Sequence, residues 1–408
     1  MTSPGRNGFG KKTVRDIEVL GKRILLRADF NVPLDKNDNS ITGDFRIVQT
    51  LPTIKYLLDR QCEVIIIAHL GRPHGKIDPK LSLEPIANHL SQLLELPVNF
   101  VSDCASDITN QAIKTAKPGT VTLLENVRFY IGEEENDPNF ATKLIKIIKP
   151  DYIVHDEFGD IHRAHASTEG ISHLVPAVAG LLLEKEVTTL LSAVENPARP
   201  LVAVLGGAKI SDKLHLVKRF LDTADTILVG GAMANNFIKD AGHNIGKSLI
   251  DLEGESEVRR VVGKAKPDQL VLPSDVAVAS EISEDSKRRD CGLDEVGEDE
   301  IILDLGYETM RGYLENVKNA TTVIWNGNLG MTELPKFAVA SEMMAEALSQ
   351  QHGSTEVIIG GGDTADFVLD WLTKHPGGKF SHISTGGGAS LELLSGKKLP
   401  GVEALLDA

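Results

Sequence analysis

The sequence predicts an α/β protein built from two doubly wound parallel-sheet domains, and three observations carry that prediction. Short apolar runs recur along the whole chain without apolar–polar alternation, as strands buried on both faces require. Segments with apolar residues at helical spacing lie between many of them, and strands alternating with helices give parallel units with right-handed crossovers. In the second half, three runs break into glycine clusters that open a helix: Gly206-Gly207, Gly360-Gly361-Gly362 and Gly386-Gly387-Gly388. A length of 408 residues is enough for two full cores.

The runs fall at 24–26, 64–67, 121–124 and 152–154, then at 201–205, 226–229, 270–272, 322–325 and 357–359. Ile47, Leu51, Ile54 and Leu58 make a helical stripe after the first run. Ile210, Leu214, Val217 and Leu221 make another, on a helix expected to begin near Ala208. Residues 181–194 (LLLEKEVTTLLSAV) read as one helix, stopped by Pro197 and Pro200. That helix divides the chain into a first domain of residues 1–183, an inter-domain helix of 184–198 and a second domain of 199–390. Residues 280–300, rich in mixed charge, read as a solvated surface excursion.

Bulk composition excludes several classes. With 41% apolar and 25% charged residues the chain is neither disordered nor membrane-embedded. A formal charge of −15 argues against a general nucleic-acid or anionic-membrane binder. Cys62, Cys104 and Cys291 have no metal spacing and no disulfide framework, which fits a reducing cytoplasm. Residues 1–12 lack the apolar core of a secretion signal, and no stretch is long enough to span a bilayer.

The two halves offer different anion chemistry. A glycine turn at a helix start turns backbone N–H groups toward an anion, and the helix dipole favours negative charge there. Lys209 and Lys213, four residues apart, would stack on one face of the helix after Gly207. One such cluster often serves only strand–helix packing; three on separate strands favour phosphate binding. The stretch from Gly242 to Ser248 has three residues between its glycines rather than four and follows a helical stretch, so it reads as a loop. No G-x-G-x-x-G fingerprint follows a strand, which disfavours a nicotinamide dehydrogenase. In the first half, strand ends deliver His69, Arg72, Arg128, His162, Arg163 and His165 to one rim, with Arg46 nearby at a helix start. Any one of these arginines alone suits a surface salt bridge; together at successive strand ends they suit a shared anion site, because the guanidinium fork donates two parallel hydrogen bonds to carboxylate or phosphate. Asp29 and Asn31 either orient a substrate hydroxyl, or Asp29 pairs with Arg27. A phosphate held by each half is what a small-molecule kinase needs.

The motifs Arg-Ala-Asp29-Phe30-Asn31-Val-Pro, His69-Leu70-Gly71-Arg72-Pro, Glu-Asn-Val-Arg128-Phe, His-Arg163-Ala-His165, Leu-Gly-Gly-Ala-Lys209-Ile-Ser-Asp-Lys213, Trp325-Asn-Gly, Gly-Gly-Gly-Asp363-Thr364 and Ser-Thr-Gly-Gly-Gly388 occur in the order found in phosphoglycerate kinases, and the chain resembles that family from about residue 20 onward. The resemblance implies two Rossmann-like lobes, a monomer, and reversible phosphoryl transfer from 1,3-bisphosphoglycerate to ADP giving 3-phosphoglycerate and ATP, with Mg²⁺. It implies that Asp29, Phe30, Asn31, Arg46, His69, Leu70, Gly71, Arg72, Arg128 and Arg163 bind the glycerate. It implies that Lys209, Lys213, Glu333, Gly361, Gly362, Asp363 and Thr364 serve the nucleotide, with Asp363 on the metal. Arg46, Lys209, Gly386, Gly387 and Gly388 would stabilise the transferring phosphoryl group. Residues 391–408 would pack back on the first lobe, and the 181–194 helix with the stretch from Ser390 to Leu393 would form the hinge.

The chain departs from the family's pattern in two places. Where the family has Asn-Asp-Ala-Phe-Gly-Thr-Ala, this chain reads His155-Asp-Glu157-Phe-Gly-Asp160-Ile161. The added carboxylates would weaken substrate binding unless they point away or pair with His155 or Arg163; a non-catalytic nucleotide- or partner-binding relative is the alternative they raise. Asn328 replaces a proline, which would free its loop, and a bulky aromatic is missing before Glu333, beside the expected adenosine pocket.

Overall fold

In the computed structural model, which describes residues 9–35 and 37–408, the chain divides into two compact units. Residues 1–8, over which the sequence lacks an apolar leader, lie outside the described residues. One unit comprises residues up to 188 together with 398–408; the other comprises 189–397. Helix Leu181–Glu195 runs across the division.

The first unit holds six parallel strands: β1 (Arg23–Arg27), β2 (Glu63–Ile67), β3 (Val98–Val101), β4 (Val121–Leu124), β5 (Tyr152–His155) and β6 (Ala177–Ala179), in the order β3-β4-β2-β1-β5-β6. All five residues of β2 are buried, as a strand covered on both faces requires. The helix Phe45–Leu58 buries Ile47, Ile54 and Leu57 against this sheet. Its Pro52 is exposed, so the Val48 carbonyl that loses its helical donor faces water. The C-terminal segment closes on this unit: the Leu406 carbonyl accepts from Lys12 N at 2.8 Å, and Gly401 N donates to the Ile161 carbonyl at 3.1 Å. Residues from Lys398 onward lie in this unit, whereas helix Gly387–Leu394 lies in the second.

The second unit contains β7 (Leu201–Leu205), β8 (Thr226–Val229), β9 (Leu270–Val271), β10 (Asp275–Ala279), β11 (Arg289–Gly292), β12 (Ile301–Leu305), β13 (Thr322–Asn326), β14 (Glu356–Gly360) and β15 (His382–Ile383). Six of these form a parallel sheet ordered β15-β14-β13-β7-β8-β9; β11-β10-β12 form a small antiparallel sheet. Residues 280–300 are mostly exposed, as expected of a solvated surface segment, but they also carry β11, which pairs with β10, and Arg288, which reaches the buried Asp304 at 2.7 Å. Trp325, Met344 and Val357 centre the main core of this unit.

Each parallel sheet reverses its winding once, between β1 and β5 and between β7 and β13. In open α/β sheets the crevice at the strand carboxyl ends beside such a reversal is where ligands bind. Among the described residues, no helix is long and apolar enough to cross a membrane.

Candidate active site

The loop after β1 carries the first anion-facing group. Asp29 is 1% exposed, and its carboxylate accepts from Arg46 Nη1 at 3.1 and 3.3 Å and from Asn31 N at 3.1 Å. Asp29 therefore pairs with Arg46, not with Arg27. Gly159 packs so closely on the Asp29 carboxylate that a Cβ there would overlap it. Asn31 Oδ1 accepts from Gly71 N at 2.9 Å, which ties the loop after β1 to the loop after β2. Phe30 and Leu70 are buried in the core, so they shape these loops from beneath and present no side chain to a ligand.

The loops after β2, β4 and β5 converge nearby. Arg128, in a short 3₁₀ turn after β4, donates Nη1 to the Gly71 carbonyl at 3.0 Å and Nη2 to Asp160 at 2.7 Å. Glu125 and Asn126 of the same motif are structural: Glu125 accepts from Leu83 N at 2.8 Å, and Asn126 Nδ2 donates to the Leu70 carbonyl at 2.8 Å. Arg27, wholly buried at the end of β1, donates to Ser167 Oγ at 2.8 Å and to His69 Nδ1 at 3.3 Å. Because arginine only donates, His69 Nδ1 is the acceptor and the neutral ring carries its proton on Nε2. Burial pushes the His69 imidazole well below its usual range; Arg128, Arg27 and Arg46 add to this, and Asp160 opposes it. Arg72 is exposed and has no hydrogen bond or ion pair to another described residue. Arg163 donates from Nε to His162 Nε2 at 3.4 Å.

Asp160 is the hub of this cluster. Its carboxylate lies 2.7 Å from Arg128, 3.5 Å from both Arg27 and Arg163, and 3.7 Å from both His69 and His165. Burial opposes its charge, but His165 and the Arg128 and Arg27 guanidiniums more than reverse this and hold the carboxyl below the usual range. Glu157 turns the other way, into a wholly buried pair with His155 at 3.0 Å. Ile161 is buried, and Gly401 of the returning C-terminal segment packs on it. Of the two added carboxylates, then, one is neutralised internally and the other enters the basic cluster.

In the second unit the glycine clusters meet. Helix Gly362–Lys374 follows β14 and helix Gly387–Leu394 follows β15; their starts adjoin, a Cβ on Gly387 lying 3.4 Å from Gly362 N. First-turn N–H groups have no intrahelical acceptor, so Gly362 and Asp363 of one helix and Gly387 and Gly388 of the other leave a neighbouring pair of donor sets. Gly361, at φ +87°, makes the left-handed turn into the first of these helices, and Gly386 caps the second. Thr364 Oγ1 accepts from Gly327 N at 2.6 Å, so its hydroxyl fixes the β13 loop.

Lys209 and Lys213 do not stack on one helix face. A 3₁₀ turn at Ser211–Lys213 precedes helix Leu214–Thr223, which begins six residues later than its apolar spacing suggested; Lys209 lies exposed in the loop. Lys213 Nζ instead donates to Asn326 Oδ1 at 2.5 Å and to the Asn326 carbonyl at 3.0 Å. Burial lowers the Lys213 pKa to about 8, with Asp363 and Asp212 opposing.

Beside these groups lies a cavity of about 470 Å³ lined by Gly207, Gly231, Asn235, Leu303, Met331 and Glu333, among others. The loop that lost its proline is held rather than freed: Asn328 Nδ2 donates to Thr332 Oγ1 at 2.8 Å, the Asn328 carbonyl accepts from Gly207 N at 2.9 Å, and Leu329 N donates to Ser341 Oγ at 3.0 Å. Among the described residues no group of three or more His, Cys, Asp or Glu side chains converges as a metal cage. An exposed carboxylate, Asp363, in the first turn of a helix beside first-turn amide donors suits Mg²⁺, which is commonly held by one or two carboxylates plus substrate phosphates.

The motifs do not reveal Arg27 as a member of this cluster, Ser167 with Glu133, whose carboxylate accepts from Ser167 Oγ at 2.6 Å, or the hub role of Asp160. The available signal was Arg27 itself, a charge closing an apolar strand (RILLR) that must find buried partners.

The phosphoglycerate kinase family model matches residues 14–397. The chain is 44% identical over 403 residues to a phosphoglycerate kinase of Pelotomaculum thermopropionicum, covering 98% of this chain and all of that one. It is also 44% identical, over 404 residues, to that of Dictyoglomus turgidum, with 98% and 100% coverage. The structure of phosphoglycerate kinase from Coxiella burnetii superposes with a TM-score of 0.83 at 39% identity over 97% of this chain and 98% of that one. That from Pyrococcus horikoshii gives 0.84 at 30% identity with the same coverage. A family match over most of the length, relatives matched end to end and a shared two-unit fold converge: the chain belongs to the phosphoglycerate kinase family.

Proposed function

We propose that the chain transfers a phosphoryl group reversibly between 1,3-bisphosphoglycerate and ADP, giving 3-phosphoglycerate and ATP, with the glycerate held by the first unit and the nucleotide by the second. One observation carries the assignment: both sheets reverse beside loops bearing anion-binding groups, guanidiniums in one and helix-opening glycines with Lys213 in the other.

In the reverse direction the nucleophile is a carboxylate, already ionised at neutral pH, so no general base is required. The protein's work is alignment and charge neutralisation. Arg46, oriented by Asp29, and the exposed Lys209 are assigned to the equatorial oxygens of the transferring group, together with the amides of Gly387 and Gly388. Arg72, Arg128 and Arg163 are assigned to the glycerate, and neutral His69 offers an Nε2–H donor. Lys213 and the first-turn amides of helix Gly362–Lys374 are assigned to the nucleotide phosphates, and the cavity beside Met331 and Glu333 to the adenosine. Asp363 would hold Mg²⁺, which when bound supplies charge neutralisation of the phosphate oxygens. In-line transfer requires the reactants to meet with water excluded. Helix Leu181–Glu195 and the stretch from Ser390 to Leu393 are assigned as the flexing elements. The enzyme is proposed to act as a monomer in a reducing cytoplasm, where three buried free thiols are stable.

A coupled assay with 3-phosphoglycerate and MgATP tests this reading. Turnover is expected, and its absence at millimolar substrate would refute it.

A further inference from the structure

Side chains meant for an incoming anion should have donors to spare, and in this cluster most of the central donors are already engaged. Arg128 gives one amino group to the Gly71 carbonyl and the other to Asp160, and its Nε, which makes no hydrogen bond, faces the Glu134 carboxylate at 3.7 Å. Arg27 is committed to Ser167, to the Ala28 carbonyl and to His69, with Asp160 at 3.5 Å. The Asp160 side chain is nearly closed off from solvent, and among the described residues its ion-pair partners are three guanidiniums and two imidazoles. The solvent-facing cations of the same wall are Arg163, in front of Asp160 at 3.5 Å, and the exposed Arg72.

We propose that Asp160 is a built-in counter-ion of the glycerate pocket, competing with the distal phosphate of the substrate for Arg128 and Arg163 and so setting a weak affinity for phosphoglycerate. This rests on the assignment of that pocket to the glycerate. A phosphate that reaches Arg163 meets a fixed carboxylate directly behind it. Arg128, the best-placed fork for a bidentate contact, must share its donors or release Asp160 into a dry site. Both effects oppose phosphate binding, and neither touches the nucleotide. The carboxylate also neutralises buried guanidiniums that would repel one another in the empty pocket, which explains why the fold tolerates it.

The test is steady-state kinetics with 3-phosphoglycerate and MgATP on the full chain and on Asp160→Asn, Asp160→Thr and Asp160→Glu. In both neutral variants KM for 3-phosphoglycerate is expected to fall about tenfold or more while KM for MgATP stays within about twofold; Asp160→Glu, which keeps the charge, stays within about threefold of the parent. The neutral variants should also melt at lower temperature than the parent without ligand and regain more on addition of inorganic phosphate. A purely structural ion pair would lower the melting temperature and leave KM for 3-phosphoglycerate unchanged; that result overturns the inference, as does a KM that falls equally in Asp160→Glu. Should neither neutral variant fold, calorimetry of 3-phosphoglycerate with the parent decides: a dissociation constant weaker than about 1 mM supports the competition, and a tighter one overturns it. A parent enzyme with no turnover refutes the proposed function; a working parent with unmoved variants refutes this inference alone.

Discussion

Lys213 allows the nucleotide site to be tested by counting protons. Its ammonium is half-buried, hydrogen-bonded only to Asn326, and has a pKa lowered by burial from 10.5 to about 8. At pH 8.5 about three-quarters of the molecules therefore carry it neutral. Nucleotide phosphates placed beside it favour the charged form and would return the pKa toward its ordinary value, so binding should take up about 0.7 proton. Titrating ADP calorimetrically at pH 8.5 in two buffers of different ionisation enthalpy measures this uptake directly. Near pH 6.5 the lysine is already charged and its contribution should vanish. The same shift fixes a stability trend in the free protein. Between pH 8 and 10.5 the unfolded chain binds the proton that the folded chain has lost, so stability rises with pH across that window. The full shift corresponds to about 3 kcal/mol, and discounting for the solvated part of the side chain leaves about 2 kcal/mol. Lys213→Met should abolish both effects. No uptake at pH 8.5, or uptake that persists in Lys213→Met, would refute the placement of phosphates at this lysine.

Two further perturbations separate catalysis from stability. Lys209→Ala should lower kcat by about 10²-fold or more with little change in KM or melting temperature, because the side chain is exposed and is assigned only to the transferring group; a pure KM effect refutes that role. Arg46→Ala should lower kcat similarly and also destabilise the fold by about 1–3 kcal/mol, because the buried Asp29 loses its cation; equilibrium urea unfolding reads the second effect. Arg288→Ala should cost about 3–5 kcal/mol at pH 7.5, where it leaves the buried Asp304 without its counter-ion. Burial has raised the Asp304 pKa to about 6, against Arg288, so the folded chain holds the extra proton between pH 3.8 and 6. Stability from that proton is full below pH 3.8 and lost as pH rises through 6, so the penalty for Arg288→Ala should shrink at pH 5.

Much of this architecture was readable because parallel strands buried on both faces are plain apolar runs. Two missed strands, β10 (DVAVA) and β12 (IILDL), carry it and were passed over; three others lack it. β3 (VNFV) is half-exposed at a sheet edge, β6 is only Ala-Val-Ala, and in β11 (RDCG) burial falls mainly on Cys291. The helix after β7 was placed too early because Ile210 is buried by the loop that precedes the 3₁₀ turn, and its spacing to Leu214 imitates one more helical turn. That misplacement produced the supposed pairing of Lys209 with Lys213. Motif order located the charged groups, but not which of them neutralise each other: nothing local distinguishes Glu157, which folds back on His155 two residues away, from Asp160, which reaches across to β1 and β4.

The His155–Glu157 pair tests whether these departures were acquired as units. Both side chains are wholly buried; His155 Nδ1 faces Glu157 at 3.0 Å and its Nε2 lies 2.8 Å from Ser172 Oγ. The two substitutions are unequal. Glu157→Ala leaves His155 bonded to Ser172, at a cost of about 1–2 kcal/mol from lost packing and one hydrogen bond. His155→Ala strands a carboxylate in a dry site beside the buried Asp156, whose own carboxyl burial pushes well above its usual range; the cost is about 3–5 kcal/mol. The double variant His155→Ala with Glu157→Ala removes the stranded charge and should be more stable than His155→Ala alone, so that the single effects sum to at least about 1.5 kcal/mol more than the double. Because the pair neutralises itself and makes no ion pair with the Asp160 cluster, kcat/KM of the folded double variant should match the parent. Effects that add to within about 0.5 kcal/mol would mean that the two residues stabilise the fold independently, and the coupling argument would fail.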